Sequence, residues 1–183
     1  MLEFSFSPFP ELKTERLLLR RMVEADGPQM LFLRSDEKVM QYIDREKTRS
    51  LEEAEEFIQK INASVDANET IMWAIALLND PATMIGTICY WRLLPQHYRA
   101  ETGYMLHPGF WNRGIMKEAL QAVTRYGFEK MKLHSIEAHI NPANEASGAV
   151  LEKSGFIREA YYKENYCFRG TFLDTAVYSL LAK

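Results

Sequence analysis

Residues 101–120 read ETGYMLHPGFWNRGIMKEAL, and the change of period inside this stretch decides the fold. Glu101 to Leu106 alternates as a strand. His107-Pro108-Gly109 then breaks the pattern, and a helical run follows from about Asn112 to Met131. A strand that turns directly into a helix start near Gly114 leaves several amides without intrahelical acceptors, all pointing outward together. Such a turn attracts anions. The helix dipole adds roughly half a positive charge, Arg113 and Lys117 bring whole ones, and Gly114 lets a phosphate approach the backbone. Gly109 and Gly114 have the GxxxxG spacing of a nucleotide P-loop, but Ile115 and Met116 stand where that loop needs Lys and Ser/Thr. Nucleoside-triphosphate hydrolysis is therefore disfavoured, and the absence of GxGxxG disfavours a dinucleotide fold. A plain strand-to-helix turn, with Gly114 kept for packing, explains this segment equally well.

On the N-terminal side, a short tail ends near Pro10 and Arg16 to Met22 reads as a strand. Asp26 is placed to cap a helix running through Leu33, with Pro28 in its first turn, and a second helical piece covers Val39 to Ile43. Ser50 and Glu53 have capping-box spacing, and Ala54, Phe57, Ile58, Ile61 and Val65 recur at threes and fours as one apolar stripe. Met72–Leu78 and Met84–Leu93 are apolar strands joined by turn residues 79–82. On the C-terminal side, His134–Ile140 is a strand and Asn144–Lys153 a helix ended by Gly155. Phe156–Phe168 and Thr171–Leu181 form a hairpin around Arg169-Gly170. The order predicts an α+β chain with a mixed sheet.

Composition narrows the class. With 183 residues, 22 Lys plus Arg against 25 Asp plus Glu and a net charge of −3, the chain suits one domain, 1–183, with residues 1–12 as an N-terminal tail. It shows no dense basic face for nucleic acid and no run near the roughly 20 apolar residues that cross a bilayer. The start MLEFSFSPFPEL lacks signal-peptide character, and two cysteines without a CxxC pair suit a cytoplasmic, thiol-bearing protein. His97, His107, His134 and His139 are scattered, and no metal site is expected.

A second segment, NPANEASGAVLEKSGF at residues 141–156, adds the decisive context. Together with Thr14–Arg20 and Asp26 at the front, Glu101–Leu120 in the middle, and Asp174 and Tyr178 in the last strand, it resembles the GNAT superfamily of N-acetyltransferases. The likeness is to its RimJ/RimL-type branch, which includes enzymes that acetylate the N-terminal amine of ribosomal proteins. The resemblance covers nearly the whole chain. It implies a three-layer fold, with a central mixed, mostly antiparallel sheet of about six to seven strands and helices on both faces. It also implies acetyl-coenzyme A as acetyl donor, no metal, and a monomer or homodimer acting on an amine.

Residue by residue, the resemblance implies that Met105 and Leu106 meet the pantetheine arm along a splayed strand. The amides of Trp111, Asn112, Arg113, Gly114, Ile115 and Met116 then hold the pyrophosphate, and Asn144 meets the coenzyme from the next helix. Asn144 also has the local pattern of a helix cap. The chain departs from the superfamily at Trp111, Asn112 and Met116, the last of which threatens to crowd the phosphates. Many relatives place a tyrosine where this chain has Leu151; the resemblance to the RimJ/RimL-type branch implies that a serine matching Ser147, or water, gives the departing thiolate its proton, the alternative for Ser147 being a small residue packed beneath the sheet.

Glu101 is the expected general base. It shares a strand face with Gly103 and Met105, where burial would raise its pKa; the alternative is an ion pair with Arg99 or with an arginine on a neighbouring strand. A backbone amide near Leu106 is the expected oxyanion donor, whereas a covalent route through Cys89 or Cys167 has no flanking histidine or helix start. The acceptor is expected in a cleft lined by Tyr42, Tyr161, Tyr162 and Tyr166. It is a protein N-terminal amine or a small amine such as a polyamine or aminoglycoside. A non-catalytic acyl-coenzyme A-binding module is the rival reading.

Overall fold

Residues 2–182 are described by a computed structural model. The chain runs through β1 (Leu12–Lys13), β2 (Leu17–Arg20), α1 (Gly27–Ser35), α2 (Glu37–Met40) and α3 (Leu51–Asp66). It continues through β3 (Ile71–Leu77), β4 (Asp80–Leu94), β5 (Arg99–Leu106), α4 (Ile115–Glu129) and β6 (Ser135–Ile140). α5 (Glu145–Lys153), β7 (Ile157–Phe168) and β8 (Thr171–Leu181) complete it. The strands form one sheet in the order β1-β2-β3-β4-β5-β6-β8-β7, in which only β5 and β6 run parallel. Eight strands replace the expected six to seven. The two-residue β1, which pairs Leu12 with Leu19, is too short to show a period of its own.

Alternation along the strands divides the core between two faces. Trp73, Ile75, Ile88, Tyr90, Ala100 and Ile136 pack on one side against Ile115, Ala119, Leu120 and Val123 of α4 and Leu151 of α5. On the other side Ala74 and Met84 meet Met30 and Leu33 of α1 and Ala54 and Ile58 of α3. Helices therefore cover both faces, but α1 and α3 cover only the β2–β4 side. The N-terminal stretch lies on this core: Phe6 is buried, and the Trp73 indole donates to the Pro10 carbonyl at 2.7 Å.

Three local expectations are corrected. Asp26 does occupy the N-cap position of α1, but its side chain caps nothing there. It is buried and clamped by Arg20 through two hydrogen bonds of 2.8 Å, and accepts a third from the Val23 amide at 2.9 Å. At α3, Ser50 Oγ accepts from the Glu53 amide as expected, whereas the Glu53 carboxylate reaches the amide of Arg49 at 2.8 Å, one residue beyond the box. The β3–β4 turn is tighter than the 79–82 segment suggested, because Leu77 already pairs with Asp80, and two register shifts, between Ile75 and Ala76 and between Ala76 and Leu77, absorb the extra residues of β4.

Candidate active site

β5 pairs with β4 along its whole length, but with β6 only from Arg99 to Glu101. Beyond Glu101 the two parallel strands part, and residues 102–106 present an open edge. His107 donates to Ile85 O at 2.8 Å, which sets the antiparallel alternation: the backbone groups of Gly103 and Met105 turn toward β4, and those of Tyr104 and Leu106 turn into the gap. Met105 O accordingly lies 2.5 Å from where a side chain on Gly86 would begin, and Gly103 O accepts from Cys89 Sγ. Of the two residues expected to face pantetheine, Leu106 presents its amide to the gap. Met105 spends its backbone on the ladder, and the other residue whose backbone faces the gap is Tyr104.

The segment after β5 is held from three sides. His107 Nδ1 accepts from the Gly109 amide at 3.0 Å, and the ring stacks on Phe32 of α1 with centroids 4.5 Å apart. The Trp111 indole donates back to Leu106 O at 2.8 Å, while Arg16 pairs with Glu118 and donates to the Arg113 carbonyl at 3.0 Å. Trp111 N donates to Pro108 O within a short 3-10 turn, so that amide is engaged. The amides of residues 112–117, by contrast, find no acceptor among the described residues; the first helical bond runs from Glu118 to Gly114 O. Asn112 and Gly114 both have left-handed backbone, φ 59° and 74°, an alternation of hand that gathers successive N–H groups into a concavity. The Met116 side chain is buried in the core beneath α4.

Asn144 occupies the N-cap of α5 and accepts from the Ser147 amide at 3.0 Å, so its capping role is realised. Its side-chain nitrogen has no acceptor among the described residues. Ser147, buried in the first turn of α5, meets the Tyr104 hydroxyl at 2.8 Å. Leu151, at the position where a tyrosine was wanting, is wholly buried in the core.

Glu101 sits where the strands part, 6% exposed, on the face left open beside α1 and α3. Its partner is the neighbouring-strand arginine: Arg92 Nη1 lies 3.1 Å from Oε2, though without a well-directed hydrogen bond. Arg99 pairs instead with Glu137 at 3.0 Å, and His139 lies 3.3 Å from the same glutamate. Burial lifts the Glu101 carboxyl above its ordinary range; His139 and Arg92 oppose this, and the like charge of Glu137 adds to it. Burial pushes the Cys89 thiol up to about 12, which keeps it protonated, and Cys167 is exposed on β7.

The expected acceptor tyrosines fall in two groups. Tyr166 and Tyr161 are committed as donors to Asp44 and Asp174, whereas Tyr162 stays half exposed and the Tyr42 hydroxyl, among the described residues, hydrogen-bonds only Gln41. A strap escaped the sequence reading. Residues 41–49 cross the open face, tied by Asp44 to Tyr166 and by Glu46 to Arg169, with Arg45 over the Trp91 ring. Tyr166 and Arg169 lie more than 100 residues away in the chain from the strap residues they hold, so no local pattern announces it.

A family model described as an acetyltransferase (GNAT) domain matches residues 16–157. A Bacillus subtilis (strain 168) protein named uncharacterized N-acetyltransferase YoaA is 35% identical over 173 residues, covering 94% of this chain and 97% of that one. The [ribosomal protein uS5]-alanine N-acetyltransferase of Escherichia coli (strain K12) is 33% identical over 78 residues, 43% of this chain and 40% of its own. Among solved structures, the ribosomal L7/L12 alpha-N-protein acetyltransferase RimL in complex with coenzyme A superposes with a TM-score of 0.85 at 23% identity. That match covers 94% of this chain and 98% of RimL.

Proposed function

Since the chain belongs to the GNAT acetyltransferase family, in its RimJ/RimL-type branch, and is an N-acetyltransferase, we propose that it moves an acetyl group from acetyl-coenzyme A to a primary amine by direct transfer. We propose a peptide N-terminal α-amine as the acceptor class. One observation carries the reading: six consecutive free amides at 112–117 lead into the open backbone edge of β5, and a buried carboxylate stands at the far end of that edge. The amides and the start of α4 suit a diphosphate, and the backbone of Tyr104 and Leu106 suits an extended amide-bearing arm added like a strand. The donor supplies a thioester carbonyl for attack.

The protein's own groups then have separate tasks. Glu101 accepts a proton from the incoming ammonium through a water, because nitrogen needs its lone pair to attack; a carboxyl already lifted above its ordinary range is better matched to that task. The Leu106 amide faces the gap as the donor for the carbonyl oxygen when it gains charge. Ser147 gives its proton to the departing sulfur. The α-amine preference follows from acidity: a peptide α-amine has a pKa of about 7.7–8.0 against about 10.4 for lysine, so a modest base suffices. The likeness to enzymes named for ribosomal-protein acetylation supports the same class.

The test is release of free thiol from acetyl-coenzyme A with peptides bearing free N-termini, polyamines and aminoglycosides. Peptide-dependent release supports the reading, release only with small amines reassigns the acceptor, and coenzyme binding without release on any amine refutes catalysis.

A further inference from the structure

The mechanism above leaves the Tyr104 phenol without a task. Its backbone lies on the open edge of β5, and its ring crosses to α5, where the hydroxyl stands 2.8 Å from Ser147 Oγ and 3.4 Å from Ser147 O. The serine is fixed on its other side, since its amide is held by Asn144 Oδ1 at 3.0 Å. Both hydroxyls lie in a largely buried space between strand and helix, in which Tyr178 OH also comes within 3.2 Å of a Cβ built on Gly148.

A lone serine is a poor proton donor here. Giving its proton to sulfur leaves an alkoxide, a far stronger base than a phenolate, in surroundings where an unpaired charge is expensive. A phenol in contact lowers that obstacle by moving its own proton as the serine gives one up, because the charge then rests on a phenolate, a far weaker base than an alkoxide. Burial pushes the Tyr104 phenol up to about 12, with the Ser147 hydrogen bond opposing, so the proton to be passed is present at neutral pH.

We propose that Tyr104 is a positioning and relay residue for the acetyl transfer: its O–H donates to Ser147 Oγ, turns the serine proton toward the departing sulfur, and replaces it. The carbon–sulfur bond breaks with its electron pair on sulfur, sulfur binds the Ser147 proton, and Ser147 Oγ binds the Tyr104 proton. The attacking nitrogen gives its second proton to water as the amide forms, and the tyrosinate takes one back from water when the products leave, so no net charge remains on the protein. The inference rests on the reading of Ser147 as the acid.

The test compares wild type, Tyr104→Phe, Ser147→Ala and the double variant by single-turnover thiol release in H₂O and D₂O, with coenzyme A binding followed by calorimetry. Phenylalanine keeps the ring and its packing, and a thermal melt verifies the fold. The relay predicts that Tyr104→Phe slows release roughly 10- to 100-fold, leaves the coenzyme Kd and the acceptor KM within about twofold, and lowers the solvent isotope effect. It also predicts a double variant no slower than Ser147→Ala by more than about twofold, because the two act as one unit. A Tyr104→Phe rate within about twofold of wild type overturns the relay while Ser147→Ala remains slow, and so do multiplying losses or coenzyme affinity lost in step with rate. An unimpaired Ser147→Ala overturns the assignment of the acid itself.

Discussion

Replacing Glu101 by glutamine separates a base from an ordinary ion-pair partner, because the two roles predict opposite balances of rate and stability. Glutamine has nearly the same shape, keeps the burial at the apex of the gap, and removes only the charge. If the carboxylate accepts the ammonium proton, its loss removes general-base catalysis, typically 10²–10⁴ in rate or about 2.7–5.5 kcal/mol of barrier. The stability change is expected to be small. Arg92 is half exposed, its contact with Oε2 is poorly directed, and exposed pairs are worth about 0–1 kcal/mol. That shifts the melting temperature of a chain this size by no more than about 4 °C. The sign with pH follows from the raised pKa. The folded state binds the Glu101 proton more tightly than the unfolded chain, whose carboxyl titrates near 4.5. The stability it contributes is present below 4.5 and is lost as pH rises through the folded value. The glutamine variant lacks that decline, so its melting temperature relative to wild type is expected to rise with pH while thiol release stays depressed. Thiol release with saturating acetyl-coenzyme A, calorimetry and thermal melts from pH 4 to 8 read all three quantities. A variant within about threefold of wild-type rate, or one that melts more than about 4 °C lower, refutes the assignment of Glu101 as base.

Trp111→Phe keeps an aromatic ring but removes the hydrogen bond to Leu106 O; at about 0.5–1.5 kcal/mol, coenzyme A affinity by calorimetry is expected to fall roughly 2- to 13-fold. Gly114→Val forces a β-branched residue into left-handed backbone, and a cost of about 1–3 kcal/mol predicts a loss of affinity of roughly 5- to 150-fold. Asp26→Ala leaves the largely buried Arg20 guanidinium with carbonyl acceptors but no counter-charge, and is expected to cost about 3–5 kcal/mol. The melting temperature should fall by roughly 6–20 °C with coenzyme affinity of the folded protein unchanged.

The features that depend on neighbours in sequence were the legible ones. The stripe Ala54, Ile58 and Val65 buries the expected face of α3, and the 101–120 segment folds as strand, turn and helix start. Sequence spacing could not tell which of two donors each acceptor would take. Asp26 looked like a cap but serves Arg20 from the preceding strand, and Glu101 pairs with Arg92 across a bulge that shifts the register after Tyr90. The threat from Met116 vanished because helix phase, set by where α4 begins, turns its side chain inward. The meeting of Tyr104 with Ser147 spans 43 residues and depends on the parting of β5 and β6, which no period of apolar residues encodes.

The most direct measurement is a backbone amide NMR titration of the protein with coenzyme A. The account predicts saturable binding with the largest shifts at the amides of residues 112–117 and of Tyr104 and Leu106. Saturable binding that leaves those amides unmoved, or no binding at all, contradicts it.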